Sequence, residues 1–148
     1  MKTPSPAQAI SRRPRTSTVI NSTITNNHVL FTGSSGVGGG IYTTDVVNAV
    51  NSIIALNTAG TGQDFYAQPV TAGILMSQGF NIIGNAGGSM TVGTGDQYGI
   101  TAGQLQLGPL QHNGGTTMTH ALLSGSVAIE AGNSGSAATD QRGFARPV

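Results

Sequence analysis

The stretch NSIIALN at residues 51–57 sets a short apolar run between two asparagines, and this form recurs along the chain. NSTITNN at residues 21–27 lies 30 positions earlier, and GFNIIGN at residues 79–85 follows 28 positions later. Self-similarity at a fixed period is typical of repeat architectures, in which stacked units share one core. The chain is therefore predicted to consist of layers of 28 to 30 residues.

Apolar and polar residues alternate within each unit, which is typical of strands rather than helices. The side chains predicted to face the core are Ile20, Ser22 and Ile24 in the first unit, Val50, Ser52 and Ile54 in the second, and Phe80 and Ile82 in the third. Stacking of the units would place Ile24 over Ile54 and Ile54 over Ile82. We expect these side chains to form an internal aliphatic column.

Strands that recur every 28 to 30 residues without a helical crossover predict the coils of a parallel β-helix. Each coil would hold about three short strands and rise roughly 4.8 Å. The segment GGGIYTTDVV at residues 38–47 is expected to supply another strand, opened by a glycine corner. The predicted fold class is all-β.

Asn27, Asn57 and Asn85 end the three units and are predicted to be their corners, whereas Asn51 is placed within a strand. Asparagine adopts the left-handed conformation more readily than most residues. Identical corners in successive layers can hydrogen-bond through their side-chain amides. We therefore prefer an asparagine ladder to ligand binding, which stays the alternative for these residues.

The composition excludes several classes of protein. Of the 148 residues, 37% are hydrophobic, 23 are glycine, and only 7% are charged, against a typical figure of about 25%. A helical bundle would carry more surface charge, and the regular apolar runs argue against disorder. The chain has no cysteine for disulfides or metal binding. It has no apolar run of about 18 residues, so no transmembrane segment is predicted.

Four of the six cations lie within the first 15 residues, and residues 16–148 carry two cations and five anions. A basic head can contact nucleic acid or anionic lipid. This one holds three prolines and no aromatic platform for bases, so no nucleic-acid partner is expected. Residues 1–17 are predicted to be a disordered or non-native basic segment. No apolar signal-peptide core follows the cations, so an export signal would lie outside this chain.

The repeat pattern is interrupted between residues 58 and 79. Asp64, Phe65 and Tyr66 place one carboxylate and two aromatic rings together at a predicted surface. Either this loop anchors itself to the stack by its aromatic rings, or the three residues form a sugar-binding platform.

Four motifs follow one another in the C-terminal third. They are LGPLQHNGG at residues 107–115, THALL at 119–123, GSVAIEAGN at 125–133 and TDQRGFARP at 139–147. Their order resembles the C-terminal region of bacterial parallel β-helix surface proteins with a choice-of-anchor Q type domain, and the upstream repeats resemble that family too. The resemblance covers residues 18–147. The chain departs from the family pattern at several positions. The family usually has aspartate where this chain has His112 and Glu130, and it has proline at several positions where this chain has another residue.

The resemblance implies a right-handed parallel β-helix from an exported or cell-surface protein, with residues 18–106 as coils and residues 107–148 as a C-terminal cap-like segment. The chain would be a C-terminal fragment of a longer β-helix. Its expected role is non-catalytic, as a structural or adhesin-like segment. The expected partners are surface glycans or other cell-envelope components, and open coil edges predict edge-to-edge self-association.

Catalysis is the competing class, because many parallel β-helices are polysaccharide lyases or hydrolases acting on pectin-like or other uronate polymers. The acids stand singly in the sequence, at Asp45, Asp64, Asp96, Glu130 and Asp140. His28, His112 and His120 show no metal-ligand spacing, and His120 is expected to pack and hydrogen-bond within the cap. We predict no catalytic, cofactor-binding or metal-binding residue, and an ion pair between Asp140 and Arg142.

Overall fold

The computed structural model describes residues 15–30, 36–69, 73–133 and 137–146. Within these ranges the protein is all-β, with one short helix. The strands are β1 (Thr16–Ile20), β2 (Thr23–Ile24), β3 (Ile41–Thr43), β4 (Val46–Val50), β5 (Ile53–Ile54), β6 (Phe65–Ala67), β7 (Ile74–Ser77), β8 (Ile82–Ile83), β9 (Ala86–Gly87), β10 (Gln97–Tyr98), β11 (Leu107–Gln111) and β12 (Thr119–Leu122), and the helix is α1 (Ala102–Leu105). Most of the basic segment predicted at residues 1–17 lies outside the described residues, and β1 begins at Thr16.

The first ten strands form three parallel sheets, with strand orders β1-β4-β7, β2-β5-β8-β10 and β3-β6-β9. The chain enters the three sheets in turn, so each of the first three layers adds one strand to each sheet, and β10 then adds a fourth strand to one of them. Thr16 pairs with Val46, 30 positions later, and Val46 pairs with Ile74, 28 positions later. The all-β class is therefore confirmed, and the predicted spacing holds for the sheet of β1, β4 and β7. It does not hold for β10, where Gln97 pairs with Ile82 only 15 positions earlier. The pair β11–β12 is antiparallel and forms a separate sheet.

The main core lies between the three sheets. Its aliphatic column follows the register Ile24, Ile54, Ile83, in which Ile54 and Ile83 are fully buried and Ile24 is partly buried. The predicted stacking of Ile24 on Ile54 is confirmed, but the placing of Ile82 over Ile54 was wrong, because Ile82 pairs with Ile53. The third layer carries one more residue than the second between its first and second strands, and this shifts the register by one.

The corners also differ from the prediction by one residue. The left-handed residues are Asn21 (φ 49°) and Asn51 (φ 53°) at one corner and Asn26 and Leu56 at the next. Asn51 is thus a corner residue and not part of a strand. A left-handed residue reverses the alternation of side chains, and Ile20, predicted to face the core, is 50% exposed for this reason.

The two central strands of the sheet β2-β5-β8-β10, β5 and β8, are apolar on both faces. Ile53 and Ile82 face outward and pack with Leu105 of α1 and with Ala128 and Ala131. The C-terminal residues therefore cover the outside of this sheet. This cover extends back to the second layer, where the backbone N–H of Asn133 donates to Oδ1 of Asn51 at 2.8 Å. No helix in the described ranges is long and apolar enough to cross a membrane.

Two of the C-terminal motifs pack against each other. Arg142 forms the predicted ion pair with Asp140 at 2.6 Å and donates from Nη1 to the carbonyl oxygen of Asn113 at 3.2 Å. A Cβ at Gly115 would lie 2.7 Å from Cα of Arg142, so this position requires glycine. His120 contacts the carbonyl oxygen of Gly108 through Nδ1 at 2.7 Å, as expected for a packed histidine.

Candidate ligand-binding crevice

Side-chain oxygens at the corners accept hydrogen bonds from the backbone of the preceding layer. In the first polar column, the backbone N–H of Ser22 donates to Oγ of Ser52 at 3.2 Å. The N–H of Ser52 donates to Oδ1 of Asn81 at 3.1 Å, and the N–H of Asn81 to Oδ1 of Asp96 at 2.8 Å. This column holds the layers in register because each corner supplies the acceptor for the one before it.

The asparagines of the repeat form a second polar column. Both the backbone N–H and Nδ2 of Asn27 donate to Oδ1 of Asn57, at 3.0 and 2.9 Å. Asn85 does not continue this ladder, because its Oδ1 accepts from the backbone N–H of Gln63 at 3.1 Å. Asp64 takes the next position instead, and its Oδ1 accepts from the backbone N–H and Nδ2 of Asn57 at 2.7 and 2.9 Å.

The surface placement predicted for Asp64 and Phe65 is wrong. Phe65 belongs to the core, and Asp64 is only 3% exposed, since three N–H groups converge on its carboxylate. The third residue, Tyr66, lies on the other face of β6. Its ring stacks on that of Tyr42 in the neighbouring strand, with centroids 6.2 Å apart and planes inclined by 6°. The three residues therefore do not form one platform.

The first column also ends at a carboxylate, that of Asp96. Burial opposes ionisation of this group, but hydrogen bonds from the hydroxyls of Ser77 and Tyr98 and from the backbone of Asn81 and Gly93 hold the pKa of Asp96 below its ordinary value. Burial and the adjacent Asp96 raise the pKa of Tyr98. Asp96 is thus a charged acceptor within the layered structure.

A crevice of about 330 Å³ opens beside the second column. It is lined by Leu56, Asn57, Gln63, Asp64, Gly84, Asn85, Gly99, Ile100, Thr101 and Ala102. The cause is an unequal corner length: residues 55–64 join β5 to β6, whereas residues 84–85 alone join β8 to β9. The longer second-layer corner therefore projects beyond the third layer. The start of α1 closes the far side.

Gly84 is required where the crevice meets the column. A Cβ at this position would lie 2.1 Å from Oδ2 of Asp64. The same oxygen accepts from the backbone N–H of Asn85 at 2.6 Å. Glycine thus lets the third-layer backbone approach the carboxylate closely enough to donate to it. This contact could not be predicted from the repeat pattern, because it depends on the length of the preceding corner.

The crevice brings one ionisable group together with amides and a hydroxyl. Asp64 is the single ionisable side chain among the described residues of its lining. Glycoside hydrolysis by a carboxylate pair needs two groups about 5 to 10 Å apart. The acids of the described segments outside the crevice include Asp96 in the first column and Asp140 in its ion pair. The lining is therefore suited to hydrogen-bonding a ligand rather than to acid–base catalysis.

The structure does not bring the histidines together. His28 contacts the hydroxyl of Thr58, His120 contacts the carbonyl oxygen of Gly108, and His112 is exposed. Within residues 15–30, 36–69, 73–133 and 137–146, no group of three His, Asp or Glu side chains is placed to hold a metal ion.

Comparisons of the chain with protein families, with curated proteins and with solved structures give no match. The class that can be stated is an all-β protein of parallel strand layers.

Proposed function

We propose that this chain is a segment of a right-handed parallel β-helix from an exported bacterial surface protein of the choice-of-anchor Q type, with a structural or adhesin-like role. The observation that carries the proposal is the use of corner side chains as acceptors between layers. Residues that could serve a reaction, such as Asp64 and Asp96, here accept hydrogen bonds from the backbone. A stalk or presentation module needs this kind of repetitive, register-locked structure.

The four C-terminal motifs support the same assignment. The NGG and TDQRGF stretches contact each other through Arg142, Asn113 and Gly115, so their joint presence has a structural reason. The motifs GSVAIEAGN and THALL supply Ala128 and Ala131 of the cover and strand β12. Motifs that serve packing are in keeping with a structural role for the domain.

The β-helical arrangement can be tested with spin labels, since the chain has no cysteine. Thr18, Asn48 and Met76 occupy equivalent positions on β1, β4 and β7. Labels at Thr18→Cys and Asn48→Cys should report backbones one layer apart, about 4.8 Å, and labels at Thr18→Cys and Met76→Cys about twice that. Electron paramagnetic resonance distances that do not increase from one pair to the next would contradict the stacking.

The role can be tested on cells and on polysaccharides. Antibody against this chain should label intact cells of the source bacterium, and external protease should remove the signal. Polygalacturonate and other uronate polymers should be left uncleaved. Turnover that is abolished by an acid-to-alanine change would replace the structural role with the lyase or hydrolase alternative. Signal confined to lysed cells would overturn surface exposure.

A further inference from the structure

We propose that the crevice beside Asp64 binds one neutral sugar residue of a surface glycan and rejects uronates. This inference rests on the proposed adhesin-like role. It specifies where the glycan binds and that the bound sugar is uncharged.

The lining has the chemical character of a sugar site. Gln63, Asn85 and Thr101 are exposed at its mouth and offer amide and hydroxyl groups that both donate and accept hydrogen bonds. Ile100 and Ala102 add apolar surface against which the C–H groups of a sugar ring can pack. The volume of about 330 Å³ falls at the lower end of the range for small-molecule sites. One sugar residue is therefore a better match than a long oligosaccharide.

The carboxylate of Asp64 supplies a fixed acceptor at the base of the crevice. Oδ1 accepts two hydrogen bonds, from the backbone N–H and Nδ2 of Asn57, and Oδ2 accepts one from Asn85. Each carboxylate oxygen can accept two hydrogen bonds. Oδ2 thus keeps capacity for one ligand hydroxyl. Its orientation is fixed, because Asn57 of the same corner and Asn85 of the third layer both donate to the carboxylate.

The same carboxylate determines the ligand charge. No Lys, Arg or His is present in the described lining of the crevice. A uronate seated there would place a second carboxylate beside Asp64 with no cation between them. Like charges at short range repel, most strongly where water is excluded. Neutral hexoses and methyl-esterified uronates avoid this repulsion.

Binding of polygalacturonate and of its fully methyl-esterified form provides the test of charge, since the two differ in charge at the same ring carbon. Isothermal calorimetry at low ionic strength should give at least tenfold weaker binding for the acid form. Neutral methyl hexosides should compete with the ester. Equal affinity for both polymers would overturn rejection of uronates, and no binding of any neutral sugar would overturn the site.

Ala102→Leu tests the location, because the larger side chain fills the crevice from α1. Gly103→Leu is the matched control: the next residue lies outside the lining and has no heavy atom within 4 Å of its Cβ position. The first change should weaken sugar binding at least tenfold and the second less than twofold. Sugar binding that survives Ala102→Leu would overturn the crevice as the site while leaving the adhesin-like role standing. A failure of surface labelling would refute that role independently.

Discussion

Replacement of Asn81 by alanine probes the first polar column at its most connected position. The side chain is fully buried. Its Oδ1 accepts from the backbone N–H of Ser52 at 3.1 Å, and Nδ2 donates to the carbonyl oxygens of Ala49 at 3.0 Å and Gly79 at 3.1 Å. Nδ2 also lies 2.9 Å from Oγ of Ser77. Alanine removes all of these contacts at once.

The cost can be worked out from the groups that remain. The carbonyl of Ala49 keeps the N–H of Gln78 at 2.8 Å, and that of Gly79 keeps the N–H of Asn51 at 3.0 Å. The N–H of Ser52 alone loses its acceptor. A buried donor left unsatisfied costs about 1–3 kcal/mol, and each lost hydrogen bond about 1 kcal/mol. We expect Asn81→Ala to lower the free energy of unfolding by about 3 kcal/mol, a large share of the about 5–15 kcal/mol typical of a domain.

Equilibrium unfolding in urea measures this difference, with Asn48→Ala as the control. Asn48 is half-buried on the outward face of β4 and lies outside both columns, so its replacement should cost less than about 0.5 kcal/mol. A loss below 1 kcal/mol for Asn81→Ala, or equal losses for the two variants, would show that the column does not hold the layers together.

Three further outcomes follow from the same packing. Gly84→Ala should destabilise the fold strongly, because the added Cβ would lie 2.1 Å from a buried carboxylate oxygen. Gly103→Ala in α1 should instead stabilise the protein by about 0.5–1 kcal/mol, and thermal melts of the two variants measure this difference. The pKa of Asp96 is lowered in the folded state, so ionised Asp96 should contribute its full stabilisation above pH 3.8, and this stabilisation should be lost as the pH falls through the folded pKa. In urea unfolding measured below pH 3.8, the free energy of unfolding of Asp96→Asn should therefore change less with pH than that of the unchanged protein. Ile54→Ala should cost about 2–5 kcal/mol and Ile20→Ala, half-exposed, less than 1 kcal/mol, and similar losses would contradict the core assignment.

The repeat in the sequence was sufficient to predict parallel layers, but not their register. Alignment on Asn57 and Asn85 assumes equal corners, and the structure has unequal ones. The third layer has Gly79, Phe80 and Asn81 where the second has only Asn51 and Ser52, a difference that follows from the two strand registers. Both Gly79 and Phe80 have positive φ, which accommodates the extra residue. The core column therefore continues to Ile83 rather than Ile82.

The crevice was beyond prediction for a related reason. Periodicity shows which residues alternate but not how far a corner projects from the layer. Asp64 and Phe65 stand in a stretch without repeats, so their polar and aromatic character suggested a surface. The burial of Asp64 depends on the hydrogen bond from Asn57 within the same corner and on the close approach of Gly84 from the third layer. Neither contact follows from the repeat period.

The chemistry of hydrogen bonding explains why both columns end at a carboxylate. An asparagine within a column accepts from one layer and needs an acceptor for its own Nδ2, so the last position should accept without donating. Asp96 receives the N–H and Nδ2 of Asn81 on Oδ1 and the N–H of Gly93 on Oδ2. Asp64 receives the equivalent pair from Asn57, and then the N–H of Asn85.

Asp64 and Asp96, which are candidates for acid–base catalysis by residue type alone, thus have the same structural position, each as the last acceptor of its column. Their environments differ at Oδ2. Tyr98 donates to Oδ2 of Asp96 at 2.6 Å, whereas Oδ2 of Asp64 has a single donor among the described residues, and Asp64 belongs to the crevice lining. The hydroxyl of Tyr98 thus occupies, at Asp96, the position that a ligand hydroxyl would take at Asp64. Both carboxylates are explained by their position at the end of a column. Among the described residues Asp96 has at least four hydrogen-bond donors and Asp64 has three, and this difference leaves Asp64 able to bind a ligand hydroxyl.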